Sequence, residues 1–241
     1  MGLWQSVVDA IYPPGCAFCD AETEAAGGLC GACWRDTQFL KGCICDLCGA
    51  PLPGEDVAAG LRCDDCLVIG RPWSRGRSAL AYAGPARTMV LRLKHGDRLD
   101  LVAPAARWMA DAGQAIWPDA PLLVPVPCHW TRRAKRRYNQ AALLARGIAR
   151  LTKAEVAPRA LVRTSRTTLL DGKNQEERFE TLSGVISAHS GQRRVIAGRN
   201  VIVIDDVMTS GATLTASTEA LFAAGAQDVR VLALARVLKE T

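Results

Sequence analysis

The stretch VIVIDDVMTSGATL at residues 201–214 decides the fold of this chain. It opens with four β-branched apolar residues at 201–204, a run that predicts a strand buried on both faces, as in a parallel sheet. Two adjacent carboxylates follow, then a short turn rich in small residues, then an apolar-periodic segment with helical spacing. The stretch therefore predicts the strand–turn–helix unit of an α/β sheet.

The residues that follow this strand are suited to hold a sugar phosphate. Asp205 and Asp206 fall at its carboxyl end, the edge at which open α/β sheets bind ligands, and carboxylates accept hydrogen bonds from sugar hydroxyls. The turn presents backbone N–H groups and hydroxyls at a helix N-terminus, which favours phosphate, and its glycine lets the backbone approach a ligand. The combination fits a ribose 5-phosphate. The turn consists of Thr209, Ser210, Gly211, Ala212 and Thr213.

This stretch resembles the phosphoribosyl-pyrophosphate (PRPP) signature of type I phosphoribosyltransferases. The resemblance implies that Asp205 and Asp206 contact the ribose hydroxyls, that residues 209–213 surround the 5-phosphate, and that Mg²⁺ accompanies PRPP. It is not a Walker loop, because it lacks the Gly-Lys-Ser/Thr ending. Thr209 stands where purine-salvage members often carry a carboxylate, so the loop offers no obvious general base for a purine. An ordinary strand–turn–helix with two surface acids is the alternative.

Length and composition describe an ordinary globular protein with room for one α/β domain and a small module. The chain has 241 residues, of which 49% are hydrophobic and 22% charged, and its net charge of +6 permits a polyanionic partner. No apolar run reaches about 18 residues, so no membrane span is predicted. The N-terminus lacks a basic region and carries Asp9 in its apolar part, which argues against a secretory signal. We expect a cytoplasmic protein.

Cysteines dominate the N-terminal region and occur in four CxxC pairs. Each pair can hold one metal ion from a tight turn, and two pairs complete a tetrahedral shell of four thiolates, which selects Zn²⁺. Eight ligands predict two closed structural zinc sites, which supply folding free energy rather than catalysis because no coordination position stays open. The predicted ligands are Cys16, Cys19, Cys30, Cys33, Cys45, Cys48, Cys63 and Cys66.

The spacing leaves the pairing of these motifs open. Consecutive pairing gives two small ribbons in tandem and is preferred, because loops of about 10 residues are long enough to return the chain. Alternate pairing would give a cross-braced unit. Cys43 lies two residues before Cys45 and is expected to be a spare thiol. Disulfides and an iron–sulfur cluster are the other uses of such cysteines.

The middle of the chain predicts further elements of the sheet. Residues 78–82 and 122–126 are expected to be strands, and helices are expected from Gly84 to about Lys94, over apolar residues spaced between 101 and 116, and after Asn139. Residues 155–200 predict a hairpin-like excursion with strands at 161–163 and 185–186. Its polar part, 164–178, is expected to be a mobile loop that closes over the ligand and excludes water.

A basic segment follows the second of these strands, so it is expected at the same sheet edge as Asp205 and Asp206. Residues 132–137 hold five cations, and a pyrophosphate leaving group needs positive charge there. Lys94, at the end of its helix, is a further candidate, and the alternative is that it complements the helix dipole. A solvated basic face, or a nucleic-acid patch with Trp130 and Tyr138 as stacking partners, are the alternatives. The candidate pyrophosphate residues are His129, Arg132, Arg133, Arg137 and Lys94.

Taken in order, the cysteine module, the RRAKRRYNQ segment and the 201–214 stretch resemble the ComF family. The resemblance implies a type I phosphoribosyltransferase fold, a mostly parallel α/β sheet flanked by helices (residues 71–241), preceded by a double zinc ribbon (residues 1–70). It also implies a role in natural competence or DNA utilisation. Two functions are expected: phosphoribosyl transfer to an unknown acceptor, or non-catalytic binding of single-stranded DNA or a helicase-type partner. One departure is Tyr138, where family members carry Gly-Phe before Asn-Gln.

Overall fold

Five parallel strands form the central sheet of the protein. The structure is a computed structural model that describes residues 15–24, 27–54, 60–95, 98–128, 138–164 and 184–238, with the side chain of residue 95 left out. The strand order is β1-β7-β6-β2-β3. The bounds are Arg75–Ala81 for β1, Leu122–Pro125 for β2, Glu155–Val156 for β3, Asn200–Met208 for β6 and Asp228–Arg236 for β7.

The strand β6 lies at the centre of this sheet because both of its faces are apolar. Val201 and Val203 belong to one core cluster, whereas Ile202 and Ile204 belong to the other. All four are fully buried, as the continuous apolar run predicts for a strand covered on both faces. The predicted mostly parallel α/β sheet is confirmed.

Helices cover both faces of the sheet. The helix bounds are Gly31–Arg35 (α1), Asp64–Val68 (α2), Gly84–His95 (α3), Val102–Gly113 (α4), Gln140–Thr152 (α5), Arg193–Ile196 (α6) and Ala212–Phe222 (α7). The helices α3, α4 and α5 contribute to the core on one side, and α7 packs on the other. Short 3₁₀ turns occupy Leu99–Leu101, Gln114–Ile116 and Ser190–Gln192.

The excursion between residues 155 and 200 contains the predicted hairpin and one strand that the sequence did not predict. The antiparallel strands β4 (Leu161–Arg163) and β5 (Ile186–Ala188) pack against α7. Just before them, β3 pairs with Leu122 and Leu123 at the edge of the main sheet. It has only two residues and no alternating pattern, so no local pattern indicates a strand there. Most of the predicted mobile loop lies outside the described residues.

The two cysteine ribbons cover the outer edge of β1. In the first ribbon, which carries Cys16 to Cys33, the backbone continues to Leu40, whose N–H donates to Ala79 O at 3.0 Å. In the second ribbon, which carries Cys45 to Cys66, Asp46 O accepts from the N–H of Gly76 at 2.7 Å. A side chain at Gly76 would collide with the carbonyl oxygen of Leu47. The ribbons therefore protect a strand edge that would otherwise be open.

The strand β1 begins three residues before the predicted start at residue 78. Its first residues include Arg75 and Arg77, which did not indicate a buried strand. The Arg77 side chain is only 8% exposed, and its Nη2 lies 2.6 Å from Asp46 Oδ1, so the second ribbon supplies the buried counter-charge. No helix in the described ranges is long and apolar enough to cross a membrane.

Candidate ligand cleft and metal centres

Asp205 and Asp206 line a cleft of about 160 Å³ at the carboxyl end of β6. Its walls come from the end of α3, the segment after β2, the start of α5, the end of β4 and the first turn of α7. The sheet pairing brings these parts together, since Pro125 is in register with Ile204 and the next residue, Val126, donates its N–H to Ile204 O at 2.9 Å. The lining residues are Lys94, Val126, Pro127, Cys128, Asn139, Gln140, Ala141, Arg163, Asp205, Asp206, Val207 and Thr213.

Asp205 is a carboxyl group held in an environment that disfavours its charge. It is 8% exposed, and its Oδ1 accepts a hydrogen bond from the backbone N–H of Asp206 at 2.8 Å. Burial raises the pKa of Asp205 to about 8, and the adjacent Asp206 carboxylate adds to the shift, while the Lys94 ammonium opposes it. A cation bound in the cleft would favour the ionised form of this group.

Lys94 projects from the end of α3 to Asp206. Its Nζ lies 3.1 Å from Asp206 Oδ1, and the two side chains are 21% and 15% exposed. This position is consistent with the prediction that Lys94 reaches the site. Its partner in this structure is the Asp206 carboxylate and not a phosphate. The structure thus brings Lys94, Asp205, Asp206 and Thr213 to one cleft.

Three side chains after the basic segment fix the walls of the cleft. Asn139 Nδ2 donates to Val126 O at 3.0 Å, and Gln140 Nε2 donates to Lys94 O at 3.4 Å. The hydroxyl of Tyr138 donates to Leu93 O at 3.2 Å. They tie the ends of β2 and α3 to the start of α5. The sequence marked Asn139 and Gln140 only as part of a family motif, since these contacts join residues distant in the chain.

The turn at residues 209–213 begins the helix α7. Gly211 adopts a left-handed conformation with φ of 85°, which a non-glycine residue rarely adopts, and Thr215 N–H donates to its carbonyl at 2.8 Å. Ser210 Oγ accepts a 3.4 Å hydrogen bond from the N–H of Ala212. Thr213, in the first turn of α7, lines the cleft, and Thr209 is exposed. The positive end of an eleven-residue helix therefore borders the acidic pair.

One residue in contact with this turn was not predicted from the sequence. Arg71, in the connector between the second ribbon and β1, donates from Nη1 to Ser210 O at 2.7 Å. The two residues are 139 positions apart, and no local pattern indicates such a contact. The predicted pyrophosphate residues His129, Arg132, Arg133 and Arg137 lie outside the described residues, so their role stays a prediction.

The eight cysteines of the CxxC pairs form two groups of four thiols. Within each group the sulfur atoms all lie within 4.8 Å of one another. None of these eight cysteines forms a disulfide, so the disulfide alternative is wrong. The grouping corresponds to consecutive pairing, and Cys43 stands apart, with its Sγ 3.8 Å from Pro53 O. The first centre contains Cys16, Cys19, Cys30 and Cys33, and the second contains Cys45, Cys48, Cys63 and Cys66.

The geometry of both centres fits a tetrahedral zinc ion. The Sγ atoms of Cys19 and Cys30 are 3.6 Å apart, as are those of Cys48 and Cys63. A tetrahedron with Zn–S bonds of about 2.3 Å has edges of about 3.8 Å. In the first centre, Cys16 Sγ accepts hydrogen bonds from the backbone N–H groups of Phe18 and Cys30, at 3.5 and 3.4 Å. Such donors stabilise the thiolate form that binds metal.

A buried cation beside the second centre also fits a bound metal. Arg236 is 3% exposed and interacts electrostatically with Cys48. Its Nε and Nη1 have no hydrogen-bond partner among the described residues, and its Nη2 lies 4.0 Å from Asp65 Oδ2. Zn²⁺ with four thiolates carries net negative charge, which would balance this guanidinium. The zinc ion would supply a rigid core to a ribbon that has few apolar residues of its own.

Together, the parallel α/β sheet, the acidic strand end beside its small-residue turn and the four-cysteine centres define a phosphoribosyltransferase-type domain joined to a metal-binding module. Residues 7–67 match the double zinc ribbon domain, and residues 143–241 match the phosphoribosyl transferase domain. The chain thus combines a double zinc ribbon domain with a phosphoribosyl transferase domain, in the order that its resemblance to the ComF family implies.

Several curated proteins are similar to this chain over most of its length. DNA utilization protein YhgH of Escherichia coli is 28% identical, over 88% of this chain and 91% of that protein. Competence protein F of Haemophilus influenzae is 26% identical, over 92% of this chain and 96% of that protein. Competence protein ComFC of Bacillus subtilis is 26% identical, over 82% of this chain and 79% of that protein. The solved TT1426 of Thermus thermophilus aligns more distantly, at 16% identity and a TM-score of 0.36, over 58% of this chain and 85% of that one.

Replacing Cys48 by Ser should reduce the zinc content from two ions per chain to one, because the second centre loses a thiolate ligand. Cys43→Ser is the matched control, since Cys43 belongs to neither centre, and it should keep both ions. Elemental analysis of the purified proteins measures the content. Two ions retained by Cys48→Ser, or one lost by Cys43→Ser, would show that the ligands are assigned wrongly.

Replacing Asp205 by Asn should stabilise the protein at alkaline pH. The folded pKa of Asp205 is about 8, above its ordinary value of 3.8, so ionisation opposes folding increasingly as the pH rises through this window. The variant should unfold at the wild-type temperature near pH 4 and about 2–8 °C higher at pH 9. Thermal unfolding across this range measures the difference. Asp119→Asn, which changes an exposed residue before β2, is the control and should melt as the wild type does at both pH values. Equal melting temperatures of Asp205→Asn and the wild type at pH 9 would contradict the raised pKa of Asp205.

Proposed function

We propose that the cleft binds Mg²⁺-PRPP. Asp205 and Asp206 would accept hydrogen bonds from the ribose hydroxyls, and the turn that begins α7 would hold the 5-phosphate. The observation that carries this proposal is the meeting of the acidic pair and the first turn of α7 in one cleft. Mg²⁺ prefers oxygen ligands, and these two carboxylates supply them. The proposed phosphate contacts are Thr209, Ser210, Gly211, Ala212 and Thr213.

The pyrophosphate would be neutralised by Lys94 and the basic segment. Lys94 already lies in the cleft, paired with Asp206 at 3.1 Å, and would exchange this partner for the ligand when Mg²⁺ and ribose occupy the carboxylates. The segment at residues 129–137 is joined at both ends to the cleft, because Cys128 and Asn139 line it. This supports the assignment of His129, Arg132, Arg133 and Arg137 to the pyrophosphate.

The chemistry that such a site supports is transfer of the phosphoribosyl group to a nitrogen nucleophile. The nucleophile's lone pair forms the new bond to the anomeric carbon while the bond to pyrophosphate breaks. Positive charge develops on the ribose in the transition state, so the nearby carboxylates and a neutralised leaving group lower the barrier. Thr209 provides no general base of the kind that a purine acceptor would use. The acceptor is therefore expected to lie outside the purine-salvage class.

The relatives suggest the process in which this site acts. They are named for DNA utilization and for competence, and we propose that this chain also acts in the uptake or use of DNA. We further propose a cytoplasmic location, because a reducing compartment keeps eight ligand thiols available for metal. The proposed division is a zinc-ribbon module over residues 1–70 and a phosphoribosyltransferase-type domain over residues 71–241.

A second candidate function is non-catalytic binding of single-stranded DNA or of a helicase-type partner. The specific observation in its favour is Trp34 on the first ribbon, which is 61% exposed. Its ring centroid lies 5.2 Å from that of Phe39, and Lys41 Nζ lies 5.8 Å from the Phe39 centroid. An exposed aromatic ring near a cation, on a chain of net charge +6, is suited to stack a base and contact phosphates.

Calorimetric titration of PRPP with Mg²⁺ into zinc-replete protein tests the first function. The wild type should bind, and the double variant Asp205→Asn/Asp206→Asn should bind about 100-fold more weakly or not at all, because hydrogen bonds to charged groups contribute about 1.5–3 kcal/mol each. Asp119→Asn, a carboxylate at the opposite sheet edge, should bind as the wild type does. Absence of binding by the wild type would overturn the proposal, and tight binding of oligothymidylate by the same sample would then favour the second function.

A further inference from the structure

Arg71 connects the second metal centre to the turn at residues 209–213. Its Nη1 donates to Ser210 O at 2.7 Å. Its guanidinium also lies over the ring of Trp73, 5.3 Å from the centroid. One side chain thus contacts the backbone of the turn and Trp73, which belongs to the core cluster that also contains Cys45, Cys48 and Cys66.

Trp73 supports the Arg71 side chain with its ring. The residue is 2% exposed, and its Nε1 donates to Leu47 O at 2.6 Å. Leu47 lies between Cys45 and Cys48, inside the knuckle that presents two thiols of the second centre. The ring that supports Arg71 is therefore held by the backbone of the metal-binding knuckle.

The turn is packed closely against this pair of side chains. An added Cβ at Gly211 would lie 2.6 Å from Arg71 Nη1 and 3.3 Å from the Trp73 ring. The left-handed turn that opens α7 is therefore shaped by residues of the connector as well as by its own sequence. Displacement of Arg71 would release the Ser210 carbonyl and leave space beside Gly211.

We propose that Arg71 is a positioning residue that couples metal occupancy of the second centre to the conformation of the phosphate turn. A bound metal holds the knuckle at residues 45–48 in place, and the Leu47 carbonyl of that knuckle fixes the Trp73 ring under the guanidinium. The guanidinium in turn holds the Ser210 carbonyl. Loss of the metal frees the knuckle that fixes Trp73, and the turn loses its support. The coupling itself is a property of the chain without ligand; its consequence for the 5-phosphate rests on the proposed function.

Arg71→Met is the informative variant, because it keeps the apolar stem over Trp73 and removes the donors. Arg75→Met is the matched control. Arg75 also joins the second ribbon to the rest of the chain, with Nη2 3.2 Å from Asp46 Oδ1 and Nη1 2.7 Å from Ala115 O, but it does not contact the turn. Arg71→Lys restores a donor and a positive charge, and should recover part of the effect if the contact itself matters.

Hydrogen exchange of a peptide spanning residues 205–214, measured without ligand, tests the coupling. Arg71→Met should speed exchange of these amides about tenfold with two zinc ions retained, whereas Arg75→Met should leave it unchanged and Arg71→Lys should lie between. Cys48→Ser, which removes the second metal, should speed exchange as much as Arg71→Met does. The double variant Cys48→Ser/Arg71→Met should add little, because both changes break the same connection. Wild-type exchange in Arg71→Met, or additive effects in the double variant, would overturn the proposal.

Titration with ribose 5-phosphate, which carries the phosphate but no pyrophosphate, separates this inference from the function on which it rests. The affinity should fall about tenfold in Arg71→Met and stay within about twofold of the wild type in Arg75→Met. A wild type that does not bind the probe would contradict the proposed PRPP site, and the exchange data would still decide the coupling. Equal affinity of the wild type and Arg71→Met would contradict the role of Arg71 in phosphate binding.

Discussion

The parallel pairing of β6 with β2 and β7 is the constraint on which the rest of the cleft depends. It fixes where three neighbouring strands end, so that the carboxylates near the end of β6 meet the segment after β2 and the first turn of α7. Apolar burial on both faces of β6 stabilises this arrangement, while the burial of Asp205 at its end opposes folding at neutral and alkaline pH. A group that costs stability at a strand end is typical of a functional site.

The two ribbons protect the edge of the sheet and contribute to its core. The first places Phe18 and Phe39 around Trp108 of α4, with ring centroids 5.5 and 5.8 Å apart. The second buries Asp46 against Arg77 and seats its backbone against Gly76. Breaking a buried ion pair of this kind costs about 3–5 kcal/mol, so docking of the second ribbon is tied to the integrity of β1.

Local patterns were sufficient to predict the elements that use a regular spacing. The apolar run at 201–204 predicted β6, and the CxxC intervals predicted two four-cysteine centres. Contacts between distant residues were beyond such patterns. Arg71 meets Ser210 across 139 positions, and Gln140 meets Lys94 across 46, because the fold brings them together and no repeat links them. The start of β1 was likewise not predicted, because Arg75 and Arg77 are charged residues in a strand. Their counter-charge, Asp46, lies in the second ribbon.

The proposal that the acidic strand end and the turn of α7 form one PRPP site can be decided by a crystal structure of the zinc-loaded protein with PRPP and Mg²⁺. The 5-phosphate should lie against the N–H groups of residues 209–213, with the ribose hydroxyls on Asp205 and Asp206 and the pyrophosphate toward Lys94. Density for PRPP on the basic segment alone, with the turn and both carboxylates free of ligand, would contradict the claim.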